Sequence, residues 1–257
     1  MKPAIRTFDL PAYLARISYA GPLEPTPEVL RQVHRAHLLN VPFENLDISR
    51  GREIVVDQEA SLRKIVQERR GGFCYEMNGA FAALLQAIGF RVTLLSAQVA
   101  RSAGVFGPDF DHLTLRVDLD EPWLADVGFG DSFLEPLRLQ TGLEQPDHGS
   151  VYRIAELPEC LALQRREADG PWTDRYRFTL QPRRLEEFAA MCRYHQTSPD
   201  SGFTRKRLCT RATPEGRVTL SDMKLTVTRH GQKEERMLSS EEEWRAILRQ
   251  QFGVVLD

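Results

Sequence analysis

The sequence predicts an α+β fold in three consecutive parts. Apolar residues recur at helical spacing through the first third of the 257 residues, short β-rich runs follow from Phe90, and the last third mixes helix with strand. Helices and strands that occupy separate stretches argue against a doubly wound sheet, in which the two would alternate. We place the boundaries near residues 88 and 195, so the predicted parts are 1–88, 89–195 and 196–257.

Three helices are predicted before residue 70. Residues 11–17 form a short amphipathic segment, and Thr26 followed by Pro27 is typical of a helix cap with proline in the first turn. Residues 41–43 read Val-Pro-Phe, and a proline there must end the second helix. A third helix is expected over residues 57–68.

A fourth helix is predicted to begin close to Cys74. Gly71 and Gly72 permit a tight turn, and apolar residues then recur at spacings of three and four up to Ile88. Gly89 stands where a glycine commonly ends a helix. Cys74 is therefore expected in the first turn of a buried helix.

The rest of the chain alternates short strands with two helices. Alternating and β-branched runs bounded by turn residues predict the strands. The final helix begins at a serine cap before Glu241 and ends near Phe252. Strands are predicted at 91–99, 112–119, 123–127, 151–157, 161–165, 175–180, 218–220 and 224–228, and a helix at 185–193.

Composition excludes several classes of protein. A net charge of −2 gives no strong field for nucleic acid or an anionic membrane. We find no secretory or transit signal and no apolar run long enough to span a bilayer, so a cytoplasmic location is expected. None of the four cysteines forms a C-x-x-C pair or a zinc-like cluster, so no metal site is expected. Cys160, Cys192 and Cys209 are interpreted as small buried residues.

Cys74 has the setting of a nucleophile. The positive end of a helix favours a thiolate, which is the reactive form of cysteine. Of the six histidines, His112 opens an alternating strand, and Asp126 ends the next apolar strand. If those two strands pair, the carboxylate can orient the imidazole. A Cys–His–Asp triad of this kind attacks peptides, thioesters and amides alike, so the residues predict acyl transfer without naming the donor.

Three motifs resemble those of the arylamine N-acetyltransferase family. Residues 41–46 read VPFENL, similar to the family's PFENL segment, and residues 70–78 read RGGFCYEMN, similar to its R-G-G-x-C-x-E-x-N segment. Residues 126–130 read DVGFG, which matches a third family motif, with His112 upstream in an H-L-x-L setting.

The resemblance implies a helical bundle, a β-barrel-like domain and an α/β lid. It implies acetyl transfer from acetyl-CoA to an arylamine, arylhydroxylamine or hydrazine, with Cys74 as nucleophile, His112 as base and Asp126 as orienting acid. By motif position, Phe43, Phe129 and Phe203 are expected to line the acceptor site.

Further roles are expected from position in the motifs. Gly128 and Gly130 are expected to let CoA pass close to the backbone. Residues 205–207, Arg-Lys-Arg, are expected to be a solvated basic face, with contact to the CoA phosphates as the alternative. Arg70 and Glu76 are interpreted as a structural pair, and Asn78 as a residue that orients the surroundings of the triad.

Three other functions stay open. A papain- or transglutaminase-like hydrolase uses the same triad on an amide. Relatives with this fold act as amide synthases that close polyketide-type acyl chains. A non-catalytic binding module is the third, and the intact triad disfavours it.

Overall fold

The computed structural model describes residues 8–256. Its first part is helical, and the capping residues expected from the sequence lie at the helix ends. The Asp9 side chain accepts the N–H of Ala12 at the start of α1, and Thr26 accepts the N–H of Val29 at the start of α2. The helices before residue 70 are α1 (Leu10–Arg16), α2 (Pro27–Asn40), α3 (Leu46–Ser49) and α4 (Gln58–Leu62), the last continued as a π-helical turn over Arg63–Gln67.

The helix α5 (Cys74–Ile88) runs through the middle of this part and is buried along most of its length. It ends at Gly89, which adopts φ = 110° and so fills the predicted role of a C-terminal glycine. Its apolar residues form a common core with α1, α2 and one face of the central sheet.

The central sheet is nearly closed into a barrel. Within residues 8–256 its main path has the order β6-β5-β4-β2-β10-β9-β8-β7. The two end strands are joined through a side chain, because the Gln145 amide accepts the N–H of Arg138 at 2.8 Å and donates to its carbonyl at 3.1 Å. The strands are β2 (Arg91–Ser102), β3 (Val105–Phe106), β4 (His112–Asp118), β5 (Pro122–Ala125), β6 (Leu137–Arg138), β7 (Gln145–Asp147), β8 (Ser150–Glu156), β9 (Leu161–Glu167) and β10 (Thr173–Phe178).

The last part packs a helix against a second antiparallel sheet. A 3₁₀ turn (Leu185–Phe188), α6 (Ala189–Thr197) and α7 (Gly202–Arg205) lead into this sheet. Its order is β1-β11-β12-β13-β14, so β1 (Phe43–Glu44), which precedes α3, joins strands that lie more than 160 residues later. The remaining elements are β11 (Leu208–Thr213), β12 (Gly216–Ser221), β13 (Lys224–Arg229), β14 (Gln232–Met237) and α8 (Glu241–Phe252).

The predicted α+β class, with helical bundle, barrel-like sheet and separate C-terminal sheet, is confirmed. The prediction for Cys160 is wrong, since this residue is partly exposed, whereas Cys192 and Cys209 are buried. Over the described residues, no helix combines the length and apolarity needed to cross a membrane.

Candidate active site

Cys74 is the first residue of α5 and is 3% exposed. The helix start is fixed by a capping contact, in which the Glu76 carboxylate accepts the N–H of Phe73 at 3.1 Å. This contact leaves the sulfur at the positive end of a fifteen-residue helix.

His112 and Asp126 form a buried pair beside this helix end. Strands β4 and β5 are antiparallel, with Leu115 opposite Ala125, so the start of β4 and the residue after β5 lie at the same end of the sheet. His112 Nε2 lies 2.7 Å from Asp126 Oδ2, and both side chains are at most 3% exposed. The condition that the sequence analysis set for this pair, namely that the two strands are paired, is therefore met.

Asp126 is held as a carboxylate by its neighbours. Burial alone would raise its pKa, but the charge and hydrogen bond of His112, together with bonds from Asn78 and the N–H of Gly128, lower the pKa below its ordinary value. The carboxylate is thus ionised and positioned to orient the imidazole.

Asn78 ties the helix to the pair. It lies one turn after Cys74, and its Nδ2 donates to the Leu113 carbonyl at 2.6 Å and to Asp126 Oδ1 at 2.9 Å. Its Oδ1 accepts the N–H of Val127 at 2.9 Å. One amide therefore fixes α5 against β4 and against the segment after β5, in the orienting role predicted for it.

The Cys74 thiol lies in an environment that disfavours an isolated charge. Burial raises its pKa well above the ordinary value, and the N–H of Leu113, next to His112 in the chain, opposes this shift. A thiolate stable on its own is not expected here. A charged sulfur here requires a nearby cation to offset the cost of burial.

Two of the three predicted pocket aromatics lie together. The rings of Phe43 and Phe203 are 6.1 Å apart, and Phe203 also meets the ring of Phe73, the neighbour of Cys74, at 5.8 Å. Asn45 holds the loop that carries Phe203, because its Nδ2 donates to the carbonyls of Phe203 and Lys206 at 3.0 and 2.8 Å.

Phe129 lies on the other side, against the histidine of the pair. Its ring is 5.2 Å from that of His112 and 5.3 Å from that of Tyr176. Tyr176 was not identified from the sequence. It is fully buried, and its hydroxyl bonds Thr114 at 3.3 Å. A tyrosine in an alternating strand gives no signal that its ring faces an active site.

The two glycines of the DVGFG segment have steric roles in the fold. A Cβ at Gly128 would lie 2.7 Å from Asn78 Nδ2 and 2.8 Å from the Cα of Cys74, so only glycine lets this loop approach the helix. Gly130 adopts φ = 88° and faces the ring of Phe43. The expected contact of these glycines with CoA stays a prediction.

A buried ionic cluster lies behind the start of α5. Lys64 Nζ is 2.8 Å from both Asp47 Oδ2 and Glu76 Oε1, and Arg70 Nη2 is 2.7 Å from Glu44 Oε1 and 3.1 Å from Asp47 Oδ1. The predicted pairing of Arg70 with Glu76 is wrong. Each bonds a different partner, because Lys64, which the motif does not include, reaches Glu76 from the preceding turn of helix.

The basic run at 205–207 is only partly a solvated face. Arg205 and Lys206 are exposed, but Arg207 bonds the Glu241 carboxylate at 2.6 Å and packs over the ring of Trp244 at 4.2 Å. The charge of Arg207 is therefore used by contacts to the residues of α8.

A cavity of about 270 Å³ opens beside Phe203, and its lining includes Arg101, Tyr194, His195 and Lys206.

Among residues 8–256, no three or more His, Cys, Asp or Glu side chains are arranged so that they could hold a metal ion.

The comparisons with known proteins concern nearly the whole chain. A family model described as N-acetyltransferase matches residues 26–257. The Gallus gallus protein named arylamine N-acetyltransferase, pineal gland isozyme NAT-3, is 35% identical, over 97% of this chain and 95% of its own.

Two further similarities bear on the chemistry. Proansamycin X synthase of Amycolatopsis mediterranei is 31% identical, over 95% of this chain and 96% of its own. The solved structure of the Mycobacterium marinum arylamine N-acetyltransferase in complex with CoA has a TM-score of 0.88 and 31% identity, covering 96% of this chain and 93% of that one.

Proposed function

The chain belongs to the arylamine N-acetyltransferase family, and from that premise we propose that it moves an acetyl group from acetyl-CoA to an arylamine, arylhydroxylamine or hydrazine. The proposed cycle is ping-pong, through an acetyl group on Cys74. The observation that carries the proposal is the buried His112–Asp126 pair, 2.7 Å apart, at the end of the barrel where α5 begins with a cysteine.

The first half-reaction begins with a proton transfer. Because burial opposes an isolated thiolate, the Cys74 proton passes to His112 and the sulfur stays paired with the imidazolium. Asp126 bonds Nε2, so Nδ1 is the nitrogen left to accept the thiol proton in this proposal. The sulfur attacks the thioester carbonyl, the bond between the acetyl carbon and the CoA sulfur breaks, and CoA leaves with the proton from His112.

The second half-reaction repeats these steps with an amine. The amine nitrogen attacks the acetyl-cysteine carbonyl while His112 accepts a proton from that nitrogen. The carbon–sulfur bond then breaks, and the sulfur of Cys74 recovers its proton. Asp126 stays ionised throughout and stabilises each imidazolium as it forms.

The acceptor is proposed to lie between the two aromatic groups described above. Phe43 and Phe203 lie on the Cys74 side and Phe129 on the His112 side, and a flat aromatic amine suits such a slot. The aromatic chemistry of the acceptor therefore matches the rings around the nucleophile.

CoA is proposed to approach along the loop that contains Gly128 and Gly130. Two arginines stand beside this loop. Arg217 bonds the Gly130 carbonyl and is paired with Asp131 at 3.2 Å, and the Arg175 guanidinium lies 5.1 Å from the centre of the Phe129 ring. Positive charge there suits an anionic phosphate ligand. The CoA complex of the M. marinum neighbour is consistent with this choice of donor.

Intact mass spectrometry tests the proposal directly. Incubation with acetyl-CoA and no amine should add one acetyl group, about 42 Da, to the wild-type protein through thioester exchange. Cys74→Ala should lose the adduct, and Cys192→Ala should keep it, since Cys192 is another buried thiol of the same apolar cluster. Anilines and hydrazines should then discharge the acetyl-enzyme.

Absence of the adduct on a reduced Cys74 would contradict acetyl-CoA as donor. The second candidate is then an amide synthase that takes a polyketide-type acyl chain, favoured by the similarity to Proansamycin X synthase. An adduct from a longer acyl thioester alone would support it. Hydrolysis of simple amides without any acyl adduct would favour the cysteine hydrolase instead.

A further inference from the structure

His34 is a buried histidine that lies next to the proposed triad without belonging to it. It projects from α2 and is 0% exposed. Its ring stacks on Phe133 at 5.6 Å and 15°, and meets Phe81 edge-on at 5.7 Å. Packing on two sides fixes the plane of the imidazole.

The hydrogen bonds of His34 determine its tautomer. Nε2 lies 3.1 Å from the backbone nitrogen of Asp126, and Nδ1 lies 2.8 Å from the carbonyl oxygen of Leu134. A backbone N–H can only donate and a carbonyl can only accept, so Nε2 must carry the lone pair and Nδ1 the proton. Burial lowers the pKa of His34 to about 4, so the neutral ring persists at neutral pH.

These two bonds hold both ends of one functional segment. Residues 126–134 begin at the orienting carboxylate, pass through Phe129 and the glycine turn, and end at Leu134. The side chain of Asp126 is directed to His112, and its main chain is directed to His34. One ring of α2 thus holds both ends of the segment, 92 and 100 positions away in sequence, in addition to the bond that Asn78 of α5 accepts from Val127.

We propose that His34 is a positioning residue for acyl transfer: it clamps the two ends of segment 126–134 and so sets the place of the Asp126 carboxylate and of the Phe129 ring. This inference rests on the proposed triad. It makes His34 act through Asp126 and Phe129, with no contact to the reacting atoms required.

Three substitutions of His34 test separately the hydrogen bond to Asp126, the hydrogen bond to Leu134 and the packing of the ring. His34→Gln places an amide oxygen near the position of Nε2 and keeps an acceptor for Asp126. His34→Asn places an amide nitrogen near the position of Nδ1 and keeps a donor for Leu134. His34→Phe keeps only the ring. The matched control is His37→Phe, because His37 lies one turn later on α2, is equally buried and bonds the Tyr13 hydroxyl at 3.1 Å.

Two readouts distinguish positioning from general stability. Single-turnover acetylation by acetyl-CoA measures the first half-reaction, and the pH profile of Cys74 alkylation by iodoacetamide measures the thiolate–imidazolium pair. We expect His34→Phe to slow acetylation by about 100-fold, as misplacement of a catalytic group does, and to move the alkylation midpoint to higher pH. His34→Gln should stay within about tenfold of wild type, since it keeps the bond to Asp126.

His37→Phe should lower the melting temperature and leave both readouts unchanged. Equal acetylation rates and alkylation profiles for His34→Phe and His37→Phe would overturn the inference. If His34→Phe does not fold, the amide variants decide, because equal rates for His34→Gln and His34→Asn contradict the role of the Asp126 bond. A wild-type alkylation profile like that of an ordinary thiol would instead overturn the triad, and this inference with it.

Discussion

Asp126→Asn should trap the imidazole of His112 in the wrong tautomer. Asp126 Oδ1 accepts bonds from Asn78 Nδ2 at 2.9 Å and from the N–H of Gly128 at 3.0 Å. Both partners are donors, so an asparagine here keeps its oxygen towards them and turns its NH₂ group to His112. An amide NH₂ only donates, so Nε2 must accept and the ring proton moves to Nδ1, the nitrogen assigned to the thiol.

The expected loss of rate follows from the free energy needed to rotate the amide of the Asp126→Asn variant so that its oxygen faces His112. A reversed amide leaves two buried donors unsatisfied, at about 1–3 kcal/mol each, so the productive tautomer lies about 2–6 kcal/mol higher. At about 1.4 kcal/mol per factor of ten, acetylation should slow by between roughly 30-fold and 20,000-fold. The loss should appear in the acetylation rate constant more than in the concentration of acetyl-CoA that half-saturates it.

Single-turnover release of CoA, followed with a thiol reagent, measures this step. Asp111→Asn is the control, because it removes the same charge from another buried carboxylate that contacts a histidine. Asp111 Oδ1 lies 3.2 Å from His195 Nε2, and its Oδ2 lies 2.8 Å from Arg101 Nη2. We expect the control to change the rate by less than tenfold. Acetylation by Asp126→Asn within tenfold of wild type, in a protein with unchanged melting temperature, would refute the tautomer argument.

Two further predictions concern the surroundings of the nucleophile. Gly128→Ala brings a methyl group within 2.8 Å of the Cα of Cys74. We expect a loss of about 1–3 kcal/mol in the free energy of unfolding and slower acetylation. Gly202→Ala is the control, because no atom of the described residues lies within 4 Å of the added methyl group. It should change neither the free energy of unfolding, measured with urea, nor the single-turnover acetylation rate. Burial raises the pKa of Glu76 to about 7 from 4.5. Burial outweighs the opposing charge of Lys64, so the folded protein binds this proton more tightly, and the stability present below pH 4.5 declines as pH rises through 7. Urea titrations from pH 4.5 to 8 should show this decline in wild type and a flatter curve in Glu76→Gln; identical slopes would contradict it.

The local features of the fold were predictable because each depends on neighbouring residues. The caps at Thr26 and Ser240, the helix that begins at Cys74 and its end at Gly89 are confirmed. The predicted resemblance to the arylamine N-acetyltransferases is confirmed by the family model and by relatives that cover nearly the whole chain.

The features that the sequence did not reveal depend on residues far apart in the chain. Lys64 bonds Glu76 from a separate turn, and His34 reaches Asp126 across 92 positions. The edge strand β14 was also missed, because all six of its residues are exposed and mostly charged, so it lacks the apolar alternation that predicts a strand. For His34, the signal was a histidine on the apolar face of α2, which requires a partner when buried.

The pairing of β1 with β11 makes the folding of the first part of the chain depend on the last part. Phe43 lies opposite Thr210, and Glu44 opposite Cys209, so main-chain bonds tie the start of the chain to its last sheet. A contact that closes a loop of this length forms late and slowly during folding. The C-terminal part, expressed alone, would present β11 as an open edge and would be prone to pair with other chains. A ribosome must therefore release most of the polypeptide before the nucleophile's surroundings can assemble, which makes this protein a poor subject for dissection into autonomous fragments.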